Sequence, residues 1–216
     1  VVRVPGGLAK RALFSELDWI TGKDRAAFNY CLEFANAAEN PRSRGPLLMG
    51  PSGCGKTHLL WAMARRVAEY TKDRVDRICT AHWKEMEKEL KDGALKAFLP
   101  SLPKVEVRVT DGSEMAHELR SSIEKKNLDS VVARFRQTEA VARGGHGFLF
   151  VDDVEIAKLS DWLHEELYRI INYRYAEAMP TAFATNLSPD ELRDALGDRL
   201  ARRIVDMTEP FVMGVH

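Results

Sequence analysis

The chain has 216 residues, with 32 Lys+Arg against 32 Asp+Glu, so its formal charge is zero. At 45% hydrophobic and 30% charged residues it holds enough apolar material for one sizeable core and too much for a disordered chain. The charge balance excludes a histone-like or tail-type polyanion binder but leaves room for a local basic surface. Three cysteines, Cys31, Cys54 and Cys79, stand at irregular spacing, which implies no disulfide framework and fits a reducing, cytoplasmic setting. The longest apolar runs, such as Phe148 to Val151, are far too short to span a bilayer. The opening Val1-Val2-Arg3-Val4-Pro5-Gly6-Gly7 is not a signal peptide, and a chain that starts without Met is read as a piece of something longer.

No internal repeat or low-complexity segment is present. The first helical pattern runs from about Lys23 to Glu39, with Phe28, Leu32, Phe34 and Ala35 among its apolar positions. Asn40-Pro41 ends it, and 42–46 reads as a loop. The short apolar run Leu47-Leu48-Met49 leads into a Gly-rich turn and an amphipathic helix from Lys56 to about Tyr70, with Leu59, Leu60, Met63 and Val67 on its core face. Residues 78–103 read as one or two extra helices to which no role is assigned. Lys104 to Thr110 predicts a strand with Val105, Val107 and Val109 on one face and Glu106 and Arg108 on the other. One helix is expected from Ser113 and another from Leu128 to Arg143. Gly144-Gly145-His146-Gly147 then breaks the pattern before Phe148-Leu149-Phe150-Val151, an apolar run typical of a strand buried on both faces. A long helix over about Ser160 to Ala178 stops ahead of Pro180, and Thr181 to Thr185 is the next strand. Ser188-Pro189-Asp190-Glu191 combines an N-cap, a Pro in the first turn and a Glu three residues after the cap. The alternation predicts an α/β three-layer fold with a mainly parallel sheet.

Gly50-Pro51-Ser52-Gly53-Cys54-Gly55-Lys56-Thr57 matches G-x-x-x-x-G-K-[ST] and is followed by His58. Its glycines let backbone N–H groups turn in around a phosphate, at which the following helix also points its N-terminus. Lys56 would reach the β- and γ-phosphates, and the Thr57 hydroxyl would help hold Mg²⁺. A chance Gly-rich turn is the bland alternative, and the strand before it and helix after it argue against that. Phe148 to Val151 followed by Asp152-Asp153 reads as a Walker B strand. Asp152 would hold Mg²⁺, and Asp153 would orient or deprotonate the attacking water, with Glu155 as the alternative base. Thr185-Asn186 closes a neighbouring strand, where the Asn186 amide would reach the γ-phosphate or the water; the bland alternative is a helix-entry loop.

Other constellations carry less. Cys79 and His82 have no second ligand pair. His164-Glu165 opens like a zincin helix, but Tyr168 stands where the second His belongs. No Gly-x-Ser-x-Gly elbow occurs. Trp19, Trp61, Trp83 and Trp162 suit core or interface anchoring better than base stacking.

Taken together these residues resemble the AAA+ ATPases, and more closely the clade of DnaC-type helicase loaders and IstB-type transposition ATPases, relatives of the initiator DnaA. The likeness rests on the phosphate loop, the paired acids, the run Leu167-Tyr168-Arg169-Ile170-Ile171-Asn172-Tyr173-Arg174-Tyr175, then Ala184-Thr185-Asn186-Leu187, and Leu196-Gly197-Asp198-Arg199-Leu200-Ala201-Arg202-Arg203-Ile204. The last segment is similar to the family's arginine-finger box. The resemblance implies a P-loop NTPase fold without a helical lid domain, ATP/ADP and Mg²⁺ as cofactors, and self-association into an oligomer. In that oligomer one subunit contributes Lys56, Thr57, Asp152, Asp153 and Asn186, and its neighbour an arginine, Arg203 first and Arg199 second. The bland alternative makes the arginines a solvated face with Asp194 and Asp198. The implied organisation is a linker over 1–13 and an ATPase domain over 14–216 with a helical insertion over 78–103. The implied roles are helicase loading, with a replicative helicase and single-stranded DNA as partners; IstB-like remodelling for a transposase; or a nucleotide-gated scaffold. Lys125, Lys126, Arg134 and Arg136 are candidate DNA contacts, weighed against a solvated basic face.

Overall fold

The computed structural model describes residues 12–17, 24–38, 44–86, 105–137, 145–156 and 159–214, with the backbone alone at 16 and 72–86. Among the described residues five strands form one sheet: β1 (Gly45–Met49), β2 (Val105–Asp111), β3 (His146–Asp152), β4 (Thr181–Thr185) and β5 (Thr208–Val212). Their spatial order is β2-β3-β4-β1-β5 and every neighbouring pair is parallel. The helices are α1 (Asp24–Asn36), α2 (Lys56–Met86), α3 (Gly112–Glu124), α4 (Leu128–Arg136), α5 (Asp161–Ala176), α6 (Pro189–Leu196) and α7 (Asp198–Asp206).

Strand alternation sorts the apolar residues into two layers. Leu48, Phe148, Phe150, Ala182 and Ala184 face α1 and α2, against Phe34, Leu59, Leu60, Met63 and Val67. Leu47, Met49, Leu149, Val151 and Phe183 face the other way, under α3 to α7. The alanines of β4 leave room for larger partners, and Phe34 meets the rings of Phe148 and Phe150 with centroids 5.9 and 6.4 Å away. The expected three-layer α/β arrangement is therefore what forms. Ser188 caps α6 with the reciprocal Glu191 box that the sequence announces, and Ser160 caps α5.

Several expectations need correction. α2 does not stop near Tyr70 but continues to Met86, into the stretch read as a separate insertion; 87–104 lie outside the described residues. α4 ends at Arg136, where Gln137 turns left-handed (φ 53°), rather than at Arg143; 138–144 are not described. β2, by contrast, keeps the expected alternation: Val105, Val107 and Val109 pack on the α1–α2 side, and on the other face Arg108 pairs with Glu118 at 2.6 Å and lies over the Phe135 ring at 4.3 Å. β5 and the 3₁₀ turn Phe14–Glu16 have no counterpart in the sequence reading. Among the described residues no helix is long and apolar enough to cross a membrane.

One buried cation ties the amino-terminal ends of the strands together. Arg174, in the last turn of α5, is fully buried. Its guanidinium donates to Thr181 Oγ1 (2.9 Å), Phe135 O (3.1 Å), Gln137 Oε1 (2.9 Å), Gly147 O (2.8 Å) and Pro180 O (2.9 Å). Burial pulls its pKa down to about 9, so it stays charged at neutral pH. Gln137 completes the knot by donating to Glu106 O and Phe148 O, each at 3.2 Å.

Candidate nucleotide site

The site lies at the carboxyl ends of the central strands, where open parallel sheets place their ligands. β1 ends at Met49, level with Thr185 of β4 and Val212 of β5. The chain then turns through Gly53 and Gly55, whose φ values of 86° and 95° favour glycine, and enters α2 at Lys56. A cavity of about 260 Å³ opens there, lined by Ser52, Gly53, Gly55, Lys56, Thr57, His58, Asp153 and Asn186. Gly50, Pro51 and Cys54 form the back of the loop, and Cys54 Sγ lies 3.7 Å from the Lys56 amine.

Lys56 is buried, with its ammonium donating to Gly50 O at 2.7 Å, Pro51 O at 2.9 Å and Asn186 Oδ1 at 3.1 Å. Asn186 Nδ2 donates to Asp153 Oδ1 and to Glu155 Oε1, both at 3.0 Å. The sequence-predicted Lys56, Asp153 and Asn186 are thus one hydrogen-bonded group. Asp153 sits at φ 39°, and its N–H donates to Asp152 Oδ1 at 3.1 Å. This turn swings Asp153 out to the cavity, while Asp152 stays at the end of β3.

Burial raises the Asp152 pKa above the usual carboxylate range, and the Asp153 charge adds to this; a hydrogen bond from Thr57 and the Lys56 charge oppose it. Asp152 and Thr57 together offer hard oxygen donors. They fit Mg²⁺, which takes one or two carboxylates alongside phosphate oxygens rather than an all-protein cage. Lys56, the inward loop and the N-terminus of α2 fit a polyphosphate.

Glu155, the alternative base, does not line the cavity. Its Oε2 accepts from the Thr185 hydroxyl at 2.6 Å and its Oε1 from Asn186 N at 3.0 Å. Burial works to raise its pKa, but the hydrogen bonds from Thr185 and Asn186 outweigh that and hold it below the ordinary range.

The arginines stand apart from this group. Arg203 donates to Asn172 Oδ1 at 3.0 Å and covers the Tyr175 ring at 4.4 Å. Both partners lie in the last turns of α5, near the amino-terminal end of the sheet and away from the cavity. Arg199 covers the Tyr168 ring at 4.3 Å and pairs with Glu165 at 3.5 Å. Hydrogen bonds from the two arginines lower the pKa of the half-buried Tyr168. Neither uses Asp194 or Asp198; the acid near Arg203 is Asp206, at 3.7 Å. Arg202 points to solvent, with its side chain 84% exposed.

Of the basic residues on α3 and α4, Arg134 is paired with Glu118 at 2.8 Å. Arg136 packs over Tyr173 at 5.0 Å, and burial followed by the Arg169 charge lowers its pKa. Lys125 and Lys126 are exposed. Trp61 and Trp162 are half-buried. The side chains of Trp19, Cys79, His82 and Trp83 lie outside the description.

Two features of the site escape the sequence reading. Gly112 approaches the Asp152-Asp153 turn so closely that a Cβ on it would stand 2.6 Å from Asp153 O. The end of β5 backs the phosphate loop: Asp24 accepts from Gly214 N with both oxygens at 3.2 Å, and a Cβ on Gly214 would lie 2.8 Å from Cys54 Cβ. Recognising β5 under Pro210 was the signal needed for the second; the first has no sequence signal beyond a glycine after a strand.

Comparison with known proteins agrees with this geometry. The chain is 23% identical over 184 residues to the replicative helicase loader DnaI of Bacillus subtilis (strain 168), covering 84% of this chain. It spans about half the length of that curated relative, 46%. The crystal structure of the DnaC helicase loader superposes with a TM-score of 0.68 at 19% identity, covering 97% of this chain and 100% of that one. The replication initiator DnaA bound to AMPPCP and single-stranded DNA gives 0.66 at 18% identity, over 98% of this chain and 52% of that one. These likenesses establish the AAA+ P-loop fold. Residues 8–125, more than half of the chain and including the phosphate loop, match the model of the bacterial DnaA ATPase domain, and the chain belongs to that family of AAA+ ATPases.

Proposed function

We propose that this chain is the ATP-hydrolysing module of a replicative helicase loader, switched on by assembly with further copies or with its partner. The observation that carries the reading is the hydrogen-bonded group of Lys56, Asn186 and Asp153 at the mouth of the phosphate loop. ATP with Mg²⁺ would supply the transferable phosphoryl group and its charge-neutralising cation. The chain's own part is to bind, orient and move a proton. Backbone N–H groups of Ser52 to Thr57 would cradle the phosphates, Lys56 would balance their charge, and Thr57 and Asp152 would hold the metal. Asp153 orients the attacking water and accepts its proton, while Asn186 fixes the γ-phosphate against it.

The distance of Arg203 from this group supports a finger offered to a neighbouring copy rather than to its own site, with Arg199 as the second choice. A lone chain is then a slow ATPase. The replicative helicase as partner is favoured by the likeness to DnaI, and single-stranded DNA by the DNA-bound DnaA relative. The linker over 1–13 and the ATPase domain over 14–216 are the organisation that goes with this reading.

The test is steady-state ATP hydrolysis with and without single-stranded DNA and the replicative helicase, for the natural chain, Asp153→Ala and Arg203→Ala. Stimulation by either partner, with loss of about 10³-fold in the arginine variant, is the expected result. Turnover indifferent to both partners and to Arg203 would sink the loader reading and the shared site together. Tight ATP binding with no turnover under any condition leaves a scaffold instead.

A further inference from the structure

We propose that Glu155 is a positioning residue for Asn186: its carboxylate fixes the amide that faces the γ-phosphate, and it takes no proton itself. The inference rests on the reading of the site as one that hydrolyses ATP.

Asn186 is an exposed side chain on a loop after β4, a setting in which an amide ordinarily samples several rotamers. Here its orientation is dictated from both ends. The Lys56 ammonium, a donor only, stands 3.1 Å from Oδ1. Two carboxylates, acceptors only when ionised, stand 3.0 Å from Nδ2. A flipped amide would set NH₂ against ammonium and oxygen against two anions, so one orientation alone satisfies the donor and acceptor inventory.

The two carboxylates are not equivalent. Asp153 lines the cavity and makes one bond to the amide. Glu155 stands behind the amide and grips both the side chain and the main chain of Asn186 through the same oxygen, at 3.0 Å each. Its other oxygen is held by the Thr185 hydroxyl at 2.6 Å, and Thr185 in turn accepts from Leu187 N at 3.1 Å. Three donors from two successive residues thus converge on the Glu155 side chain, and Leu187 N, bonded to the Thr185 hydroxyl, extends the set so that the Thr185-Asn186-Leu187 turn is locked.

The left-handed turn at Asp153 makes this reach feasible. It returns the chain over the end of β4, where Val154 N donates to Ala184 O at 3.1 Å, and it delivers Glu155 onto Asn186. A carboxylate whose oxygens are so engaged, outside the cavity, is badly placed to remove a proton from water. Its depressed pKa makes it a weaker base still. What it supplies is an Asn186 amide anchored by one N–H, so that the other, which rests on Asp153 at the cavity, is the one the phosphate takes over in an orientation already set, the preorganisation on which electrostatic stabilisation depends.

Glu155→Ala and Glu155→Gln separate the roles. In Glu155→Gln one oxygen remains to accept from Asn186, and the new amide can donate to the rotatable Thr185 hydroxyl, so the strut survives without its charge. Under the conditions that give full turnover, Glu155→Ala is expected to lose about 10- to 100-fold in kcat, the scale of an ångström-level misplacement, with KM for ATP within about twofold. Glu155→Gln is expected to return to within about threefold of the natural chain. Equal loss in both variants would make Glu155 a base and overturn the proposal, as would full turnover in Glu155→Ala or a loss confined to KM.

A second readout needs no hydrolysis. In amide NMR the two Asn186 side-chain N–H signals should be dispersed and slow to exchange in the natural chain and in Glu155→Gln, and should collapse towards free-amide values in Glu155→Ala. Unchanged signals in Glu155→Ala refute the strut. If the natural chain hydrolyses no ATP while these signals behave as expected, the ATPase reading fails and the positioning contact stands.

Discussion

Replacing Arg174 by alanine tests whether the knot beneath the sheet is required for stability. Five acceptors surround its guanidinium, three of them backbone carbonyls. A hydrogen bond from a charged donor contributes about 1.5–3 kcal/mol, and five at the lower end come to about 7 or 8. Against this stands the cost of keeping the cation dry, which the fall in pKa to about 9 puts at roughly 5 kcal/mol. The difference leaves about 3 kcal/mol, and the void left by the side chain adds about 2. Arg174→Ala is therefore expected to lose about 5 kcal/mol, or roughly 10–20 °C in Tm for a chain of this size. Lysine, with three donors instead of five, should recover about half. The assay is urea unfolding followed by circular dichroism, with Tm by calorimetry. Methionine supplies the decisive comparison, because buried ion pairs can often be exchanged for apolar residues without loss. If Arg174→Met costs less than about 1 kcal/mol, the carbonyls do not need the donor and the reasoning is wrong.

Gly112→Ala should cost about 1–3 kcal/mol in urea unfolding, since its Cβ meets main-chain atoms, Asp153 O at 2.6 Å and Val154 O at 3.0 Å. Because the atom displaced belongs to Asp153, kcat should fall with it; stability lost at full kcat would separate the two. Asp152→Asn is expected to raise the Tm of the ligand-free chain at neutral pH and to weaken Mg²⁺-dependent nucleotide binding. Its sign follows from an acid whose pKa is raised on folding: ionisation then costs stability, fully above the folded pKa and not at all below the ordinary Asp range. The gain should vanish in melts taken at increasingly acid pH, and a gain independent of pH would contradict the assignment.

Sequence carried most of the fold because hydrophobic alternation and helix periodicity are local. β3 is built on the unbroken apolar run Phe148 to Val151, β4 on Ala182-Phe183-Ala184 between two threonines, and α6 announces itself through its capping box. What it missed is non-local. β5 hides because Pro210 and Glu209 interrupt its pattern, and only pairing with β1 makes it a strand. The burial of Arg174 depends on acceptors from α4, β3 and β4 that no window of sequence brings together. Within the site, Lys56, Asp152, Asp153 and Asn186 were legible through fixed spacing and strand ends. The role of Glu155 was not, since a carboxylate three residues past a strand reads alike whether it faces water or a backbone amide.

The strand order has a consequence for how the molecule comes into being. β1 carries the phosphate loop and comes first among the described strands, yet its neighbours are β4 and β5, the last two of them. Early in synthesis the loop has no wall on either side, and the pairings that complete it close the longest chain loops in the domain, which slows folding. A nucleotide that needs Asn186 beside Lys56 can hold only a chain whose carboxyl-terminal strands are already docked. By mass action it then favours that state over every half-paired one. A bound nucleotide would thus act as a clamp that holds the first-made and last-made strands of the sheet together.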